Sequence, residues 1–219
     1  MDSWRDWIPS FDAWATTYDE EVRDSEWFAY ERAWAFVRRW AGEGAESRNR
    51  LRVADVGCGT GAFLARWASI GASVVGVEPS AGMRAVAATR LPPGAVRDGH
   101  LTEIPLPDAH VDAIEVTYAM SHLDAAGKTA ALAELRRVVR PGGVVVVVDV
   151  GVNGPADLAR VREVLTAAGK ADQIPWYESG YAFDLPGFRA EVEASDTWLA
   201  TEALGPVLYG MAWETAHRR

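Results

Sequence analysis

The chain has 219 residues, enough for one sizeable core and short for two. Its 22 basic against 31 acidic residues leave a net charge of −9, which argues against the basic stripe of a nucleic-acid binder, and a single cysteine, Cys58, excludes an intrachain disulfide. Asp2, Arg5 and Asp6 break any apolar signal core, and the longest apolar run, Val144–Val148, is too short to span a bilayer, so a cytoplasmic protein with no membrane partner is the default expectation.

The segment before Leu51 holds six of the ten tryptophans: Trp4, Trp7, Trp14, Trp27, Trp34 and Trp40. Trp27, Tyr30, Trp34 and Val37 recur at helical spacing, which predicts a helix packed on a sheet. Trp4, Trp7 and Trp14 share no such stripe and are read as a cap over a ligand and a wall of its acceptor pocket. Residues 42–50 read as a polar hinge. Strands are expected at Leu51–Val56, Ser73–Val77, Ala95–Asp98, Val111–Thr117 and Val144–Asp149. Helices are expected between them, at Gly61–Ile70, Ser80–Arg90 and Ala125–Val139, the last stopped by Arg140-Pro141-Gly142-Gly143. Beyond them, helices are expected at Ala156–Ala168 and Leu185–Ala194, and strands at Trp198–Leu204 and Val207–Trp213. This alternation implies an α/β fold, a parallel sheet with helices on both faces. Residues 152–184 follow a strand carboxyl end, where open α/β sheets bind ligands, and read as a substrate wall or lid.

Val53–Gly61 reads V-A-D-V-G-C-G-T-G, and Glu78 ends the next strand. Glycines at 57, 59 and 61 allow a ligand to lie against the backbone, and the following helix turns free N–H groups toward it. Two ligand classes use such a loop. A dinucleotide needs G-x-G-x-x-G/A and a distal acid, which Gly57, Gly59, Ala62 and Glu78 satisfy. S-adenosylmethionine also needs a ribose-binding acid but carries no phosphate. Asp55 favours the second, because a carboxylate before the loop repels a pyrophosphate and attracts ammonium and sulfonium charges.

Six segments in order carry a family likeness: F-D-A-W-A-T-T-Y-D-E-E from Phe11, the D-V-G-C-G-T-G loop, V-G-V-E-P-S-A-G-M to Met83, I-P-L-P-D-A-H-V-D from Ile104, T-Y-A-M-S-H-L from Thr117, and E-L-R-R-V-V-R-P-G-G from Glu134. With them the chain resembles the class I S-adenosylmethionine-dependent methyltransferases, in a small bacterial branch similar to the ubiquinone/menaquinone-type enzymes. The resemblance implies one Rossmann-like domain with a seven-stranded, mostly parallel sheet whose last strand is antiparallel. Within it, 1–49 would be a helical cap, 50–151 the cofactor core, 152–184 an insert, and 185–219 a helix and two strands. It implies S-adenosylmethionine as cofactor, S-adenosylhomocysteine as product and a small-molecule methyl acceptor as partner. The alternatives are a noncatalytic S-adenosylmethionine-binding protein and an NAD(P)-dependent oxidoreductase.

On this reading Gly57, Cys58, Gly59 and Gly61 cradle the methionine half, Asp55 orients its amino group, and Glu78 accepts from the ribose hydroxyls. Pro79 and Met83 frame the adenine, Tyr18 closes over the carboxylate side, and Thr117 and Tyr118 complete the cofactor contacts. Relatives carry an adenine-binding aspartate where this chain has Gly99-His100-Leu101. A neutral His100 offers an acceptor nitrogen, Asp98 is the other candidate, and His100 as a plain polar strand-end residue is the third reading. His122 is the candidate general base, or else a helix-start histidine bonded to backbone. Trp7, Trp14, Tyr118, Trp176, Tyr177 and Tyr181 are the candidate acceptor wall. No H-E-x-x-H or cysteine cluster points to a metal, and no G-x-S-x-G to a serine nucleophile.

Overall fold

A computed structural model describes residues 4–23, 28–42, 51–179 and 181–217. The expectations for Trp27 and for the hinge at 42–50 fall wholly or partly outside them, as do the side chains of Trp4, Trp176 and Tyr177. The elements run α1 (Ile8–Trp14), α2 (Tyr18–Arg23), α3 (Tyr30–Gly42), β1 (Arg52–Val56), α4 (Ala62–Ser69), β2 (Ser73–Val77) and α5 (Ala81–Ala88). They continue β3 (Val96–Arg97), β4 (Val111–Thr117), α6 (Ala125–Val138), β5 (Val139–Val152), α7 (Pro155–Ala167), α8 (Ile174–Glu178), β6 (Phe183–Asp184), α9 (Leu185–Glu193), β7 (Thr197–Ala203) and β8 (Leu208–Glu214).

The sheet order is β3-β2-β1-β4-β5-β8-β7, with β8 antiparallel to both β5 and β7. The expected count of seven is corrected to eight: β6 pairs in parallel with the end of β5, off the main path. At two residues it is too short to show alternation in sequence. β5 also starts earlier than expected. The helix ends at Val138, as its stop signal predicts, and Pro141-Gly142-Gly143 then forms an irregular lead-in to the strand, with Gly142 at φ +68° and its N–H on the Thr215 carbonyl at 2.9 Å. The break in pairing between Val111 and Ala113 lies opposite, as a bulge requires.

Strand alternation sends Ala54, Val56, Ile114, Val116, Val145 and Val147 to one face, against Leu132 and Leu135 of α6 and Phe188 of α9. Val53, Ala113, Val146 and Val148 face the other way, against Ala33, Phe36 and Val37 of α3 and Phe63 and Trp67 of α4. The tryptophan-rich helix is therefore core: Trp34 packs edge-on to Trp67, ring centres 5.2 Å apart. Caps fix the helix starts beside the site. Ser80 Oγ accepts from the Met83 N–H at 3.1 Å, and Asp124 Oδ1 from the Gly127 N–H at 2.7 Å. Arg137 of α6 anchors the loop after β3, donating to the carbonyls of Ile104 and Leu106 at 2.9 and 2.8 Å.

Asp112 ties the amino ends of three strands. It accepts from the Arg52 N–H at 2.9 Å and from Arg140 Nε at 2.8 Å. Burial alone would raise its carboxyl, but the bonds from Arg52 and Arg140 outweigh this and hold it below the usual range. A depressed folded-state pKa contributes stability above the unfolded value, near 3.9, that is lost as pH falls through the folded value. Asp112→Asn is expected to cost about 1–2 kcal/mol in urea unfolding at pH 7, with the difference shrinking below about pH 4. A difference that stays constant with pH would contradict the assignment.

Candidate functional site

The site begins where β1 runs out. Gly57 (φ +82°) and Cys58 both donate to the Val77 carbonyl, at 2.7 and 3.1 Å, folding the loop over the end of β2. An added Cβ on Gly57 would stand 2.5 Å from the Ala119 Cβ, so the loop and the segment after β4 meet without room for a side chain. Gly59 donates to Glu78 Oε2 at 2.9 Å, and the Ser80 N–H to Oε1 at 2.8 Å. Burial raises the Glu78 carboxyl, and those two bonds only partly offset it. Two backbone bonds leave the carboxylate with acceptor capacity, because an ionised carboxylate offers about four lone-pair sites.

An open cavity of about 660 Å³ lies against this loop. Gly57, Gly59, Glu78 and Pro79 line one side, Met83, His100 and Leu101 the next, and Thr117, Tyr118 and His122 the third. Trp7 and Tyr18 close it from the N-terminal helices. A second cavity of about 350 Å³ shares Tyr18, Gly57, Gly59, Thr117 and Tyr118 and adds Asp55 and Cys58. Asp55 is 1 % exposed, and its Oδ1 has no hydrogen-bond partner.

The roof is pinned by two carboxylates that sequence reasoning missed. Asp12 of α1 accepts from Ser80 Oγ at 2.5 Å and from the Gly82 N–H at 2.8 Å, at the start of α5. Asp19 of α2 accepts from Thr60 Oγ1 at 2.5 Å and pairs with Arg90 at 2.6 Å. The only signal for Asp12 was its place in F-D-A-W; its partners become visible once α1 docks on α5.

His122 sits in an aromatic slot, its ring 5.1 Å from Trp7 and 5.3 Å from Phe11. Its Nδ1 is buried without a hydrogen-bond partner. Burial lowers its pKa, and the Asp149 carboxylate pulls the other way. Asp149, at the carboxyl end of β5, accepts from the Ser121 N–H at 2.9 Å. An acid ending a five-valine run was the available sequence signal for it. Tyr118 adopts φ +58°, a left-handed backbone seldom taken by a bulky residue, and its hydroxyl donates to the Phe28 carbonyl.

Several expected contacts are corrected. Gly61 is not among the cavity-lining residues: it caps α4 at φ +73°, where an added Cβ would lie 2.8 Å from Leu91 Cδ1. Its glycine serves the packing of α4 on α5. Trp14 packs on Tyr18, ring centres 4.7 Å apart, outside the lining. Tyr181 also lies outside it, its carbonyl accepting from Lys128 Nζ at 2.7 Å. Among the described residues, none of 152–184 lines either cavity, because α7 packs Val161 and Leu165 against Val207 instead. Asp98 faces outward to Arg84 at 3.0 Å. His100 Nδ1 lies 3.0 Å from Thr102 Oγ1 and 3.3 Å from the Thr102 backbone nitrogen. Burial pushes its pKa down to about 4, so His100 lines the cavity as a neutral ring.

Residues 54–147 match the methyltransferase domain family. The chain is 34 % identical over 182 residues to an uncharacterized methyltransferase of Geobacillus kaustophilus, covering 83 % of this chain and 80 % of the relative. The chain belongs to the class I S-adenosylmethionine-dependent methyltransferases. The fold agrees. A crystal structure from Thermotoga maritima, described as a possible histamine N-methyltransferase, superposes with TM-score 0.66 at 19 % identity, covering 94 % of this chain and 98 % of that one. The plantazolicin methyltransferase BpumL, crystallised with a desmethyl-plantazolicin analogue and S-adenosylhomocysteine, does so at 0.67 and 13 %, covering 93 % and 89 %. Among the described residues of this methyltransferase, no helix is long and apolar enough to cross a membrane.

Proposed function

We propose that this methyltransferase moves the methyl group of S-adenosylmethionine to a small apolar or planar acceptor held between the glycine loop and the N-terminal helices. The observation that carries this is the continuity of one cavity from Glu78 and Gly59 to the aromatic slot around His122. The residues fit the cofactor. Gly57 has no room for a Cβ, Asp55 presents a buried carboxyl oxygen without a partner, and Glu78 keeps acceptor capacity beside the loop. Bound there, S-adenosylmethionine supplies a methyl group on a positively charged sulfur, an already activated leaving group, and S-adenosylhomocysteine remains.

The chain's own residues position and exclude water. Glu78 receives the ribose hydroxyls, Asp55 the amino group, and Met83, Leu101 and Pro79 the apolar flanks of the adenine, with the neutral His100 ring as a further adenine contact. Tyr18 and Trp7 close the roof, and the helices α1 to α3 act as cap to a single catalytic domain. Alignment of reactants alone lowers a bimolecular barrier by roughly 7–11 kcal/mol in favourable systems. His122 serves as general base for an acceptor that must lose a proton, since burial holds it neutral at neutral pH while Asp149 steadies the cation it becomes. The acid limb of turnover then lies below the ordinary histidine value of about 6.5. His122→Ala is expected to lower kcat roughly 10²–10⁴-fold and leave cofactor affinity within threefold. Unchanged turnover removes the base.

The acceptor class is tested by incubating the protein and methyl-labelled cofactor with a small-metabolite extract and, in parallel, with a macromolecular fraction. Mass spectrometry of the small-metabolite sample is expected to find a labelled compound of low mass. Label only in protein or nucleic acid would overturn the small-molecule reading.

A further inference from the structure

Two acids lie side by side beneath the glycine loop, and the function above uses one of them. Asp55 of β1 and Glu115 of β4 are register partners on neighbouring parallel strands. Paired residues leave a sheet on the same face, here the one covered by α3 and α4, since Val53 and Ala113, two residues earlier on each strand, both pack there. Glu115 is 0 % exposed. Both of its carboxyl oxygens lack a hydrogen-bond partner, as do Asp55 Oδ1 and the nearby Trp67 Nε1. An unpaired ionised carboxylate in such a place is very costly, and two of them adjacent cost more.

Among the described residues, no cation is among the groups acting on Asp55 or Glu115. Burial, then the Glu78 charge from the end of β2, pushes the Asp55 carboxyl up as well, and the charges of Asp55, Glu78 and Glu115 all act on the Cys58 thiol. Tyr18 of α2, itself near Asp19 and Asp149, and Tyr30 of α3 face Asp55 from above. Arg66 of α4 lies over the Tyr30 ring and is held by Glu31 at 2.5 Å. Burial, then the Asp55 charge, pushes Glu115 up, against a smaller pull from the Trp67 indole N–H. Two adjacent buried carboxyls cannot both ionise, and Asp55 lines the second cavity while Glu115 lies behind it, so the proton is assigned to Glu115. A protonated carboxyl is a donor, and the unpartnered acceptor at its register is Asp55 Oδ1.

Resting on the cofactor reading above, we propose that Glu115 is a positioning residue: as a neutral acid it donates its carboxyl proton in a hydrogen bond to Asp55, holding that carboxylate ionised and aimed at the cationic amino group of the cofactor. No proton is transferred in full. Asp55 carries the charge, and Glu115 carries the proton that stabilises it, so the pair presents one net negative charge to one ligand cation.

The test is titration calorimetry of S-adenosylmethionine binding from pH 6 to 8.5, with wild type, Glu115→Leu and Glu115→Gln. Variant-to-wild-type ratios cancel the ligand's own amino titration near pH 8. Leucine removes the donor, so Asp55 becomes harder to ionise. Affinity at pH 7 is expected to fall about tenfold or more, and to recover as pH rises. Glutamine is a neutral donor of the same shape and is expected to restore wild-type affinity within threefold. Wild-type affinity and pH profile in the leucine variant would overturn the proposal. So would a glutamine variant as weak as leucine, because that outcome requires a charged Glu115. Should the leucine variant fail to fold, Glu115→Met, another side chain of similar length without a donor, takes its place with the same expected and overturning results. Failure of the wild type to bind at any pH sinks the cofactor reading instead, which keeps the two failures apart.

Discussion

Glu78→Ala is expected to weaken S-adenosylmethionine binding by roughly a hundredfold or more while the chain stays folded. Glu78 is 7 % exposed, and its two oxygens already hold the Gly59 and Ser80 N–H groups. Its removal does two kinds of damage. The ribose hydroxyls lose charge-assisted acceptors, worth about 1.5–3 kcal/mol each. The loop loses the carboxylate that orients Gly59, so the cradle itself loosens. Glu78→Gln should fall between, since an amide keeps one acceptor oxygen and turns its NH2 toward a backbone donor. The acid side carries a sign as well. The carboxyl is raised by burial despite bonds from Ser80 and Gly59, so affinity is full above that raised value and declines as pH falls through it, starting above the ordinary value near 4.3. Calorimetric titration of wild type and both variants checks the series. Affinity within threefold of wild type in Glu78→Ala would remove Glu78 from the ribose site.

Gly57→Ala is expected to be the most damaging single methyl in the loop. At φ +82° an L side chain is strained, and its Cβ would meet the Ala119 Cβ at 2.5 Å. Strain and crowding each cost about 1–3 kcal/mol, so about 3 kcal/mol together is a moderate expectation. For a chain of this size that lowers Tm by about 6–12 °C. Ala119→Gly in the same molecule removes the overlap but not the strain, so the double variant should recover roughly half of the loss, measured as a double-mutant cycle. Tm unchanged in Gly57→Ala, or no coupling in the cycle, would contradict the close approach of the two segments.

The central sheet was legible because each inner strand is a short apolar run between glycine or polar signals. Val111–Thr117 and Ser73–Val77 lie where the sequence puts them. The N-terminal roof was not legible. α1 buries none of its residues, so it has no stripe to betray it, and what holds it is the reach of Asp12 to Ser80 and Gly82, about seventy residues on. The early start of β5 was missed for a local reason: Pro-Gly-Gly marks the end of α6, yet the Thr215 hydroxyl on the Arg140 carbonyl and the backbone bonds of Thr215 to Gly142 and Gly143 carry the strand through it. At the site, residue types on the loop foretold Glu78 and Asp55. His100 lies on the cavity, but its ring is also engaged by Thr102, a neighbour whose direction no spacing rule supplies. Asp149 and Glu115 are acids set among the valines and isoleucines of their strands. Their burial is set by which face each side chain takes, and that follows only from strand register.

The most direct measurement is a crystal structure of the protein soaked with S-adenosylhomocysteine. The nucleoside is predicted to lie in the cavity with both ribose hydroxyls on Glu78, its amino group beside Asp55 and its sulfur facing His122. A nucleoside seated elsewhere, or a Glu78 carboxylate turned away from the bound sugar, would contradict the account.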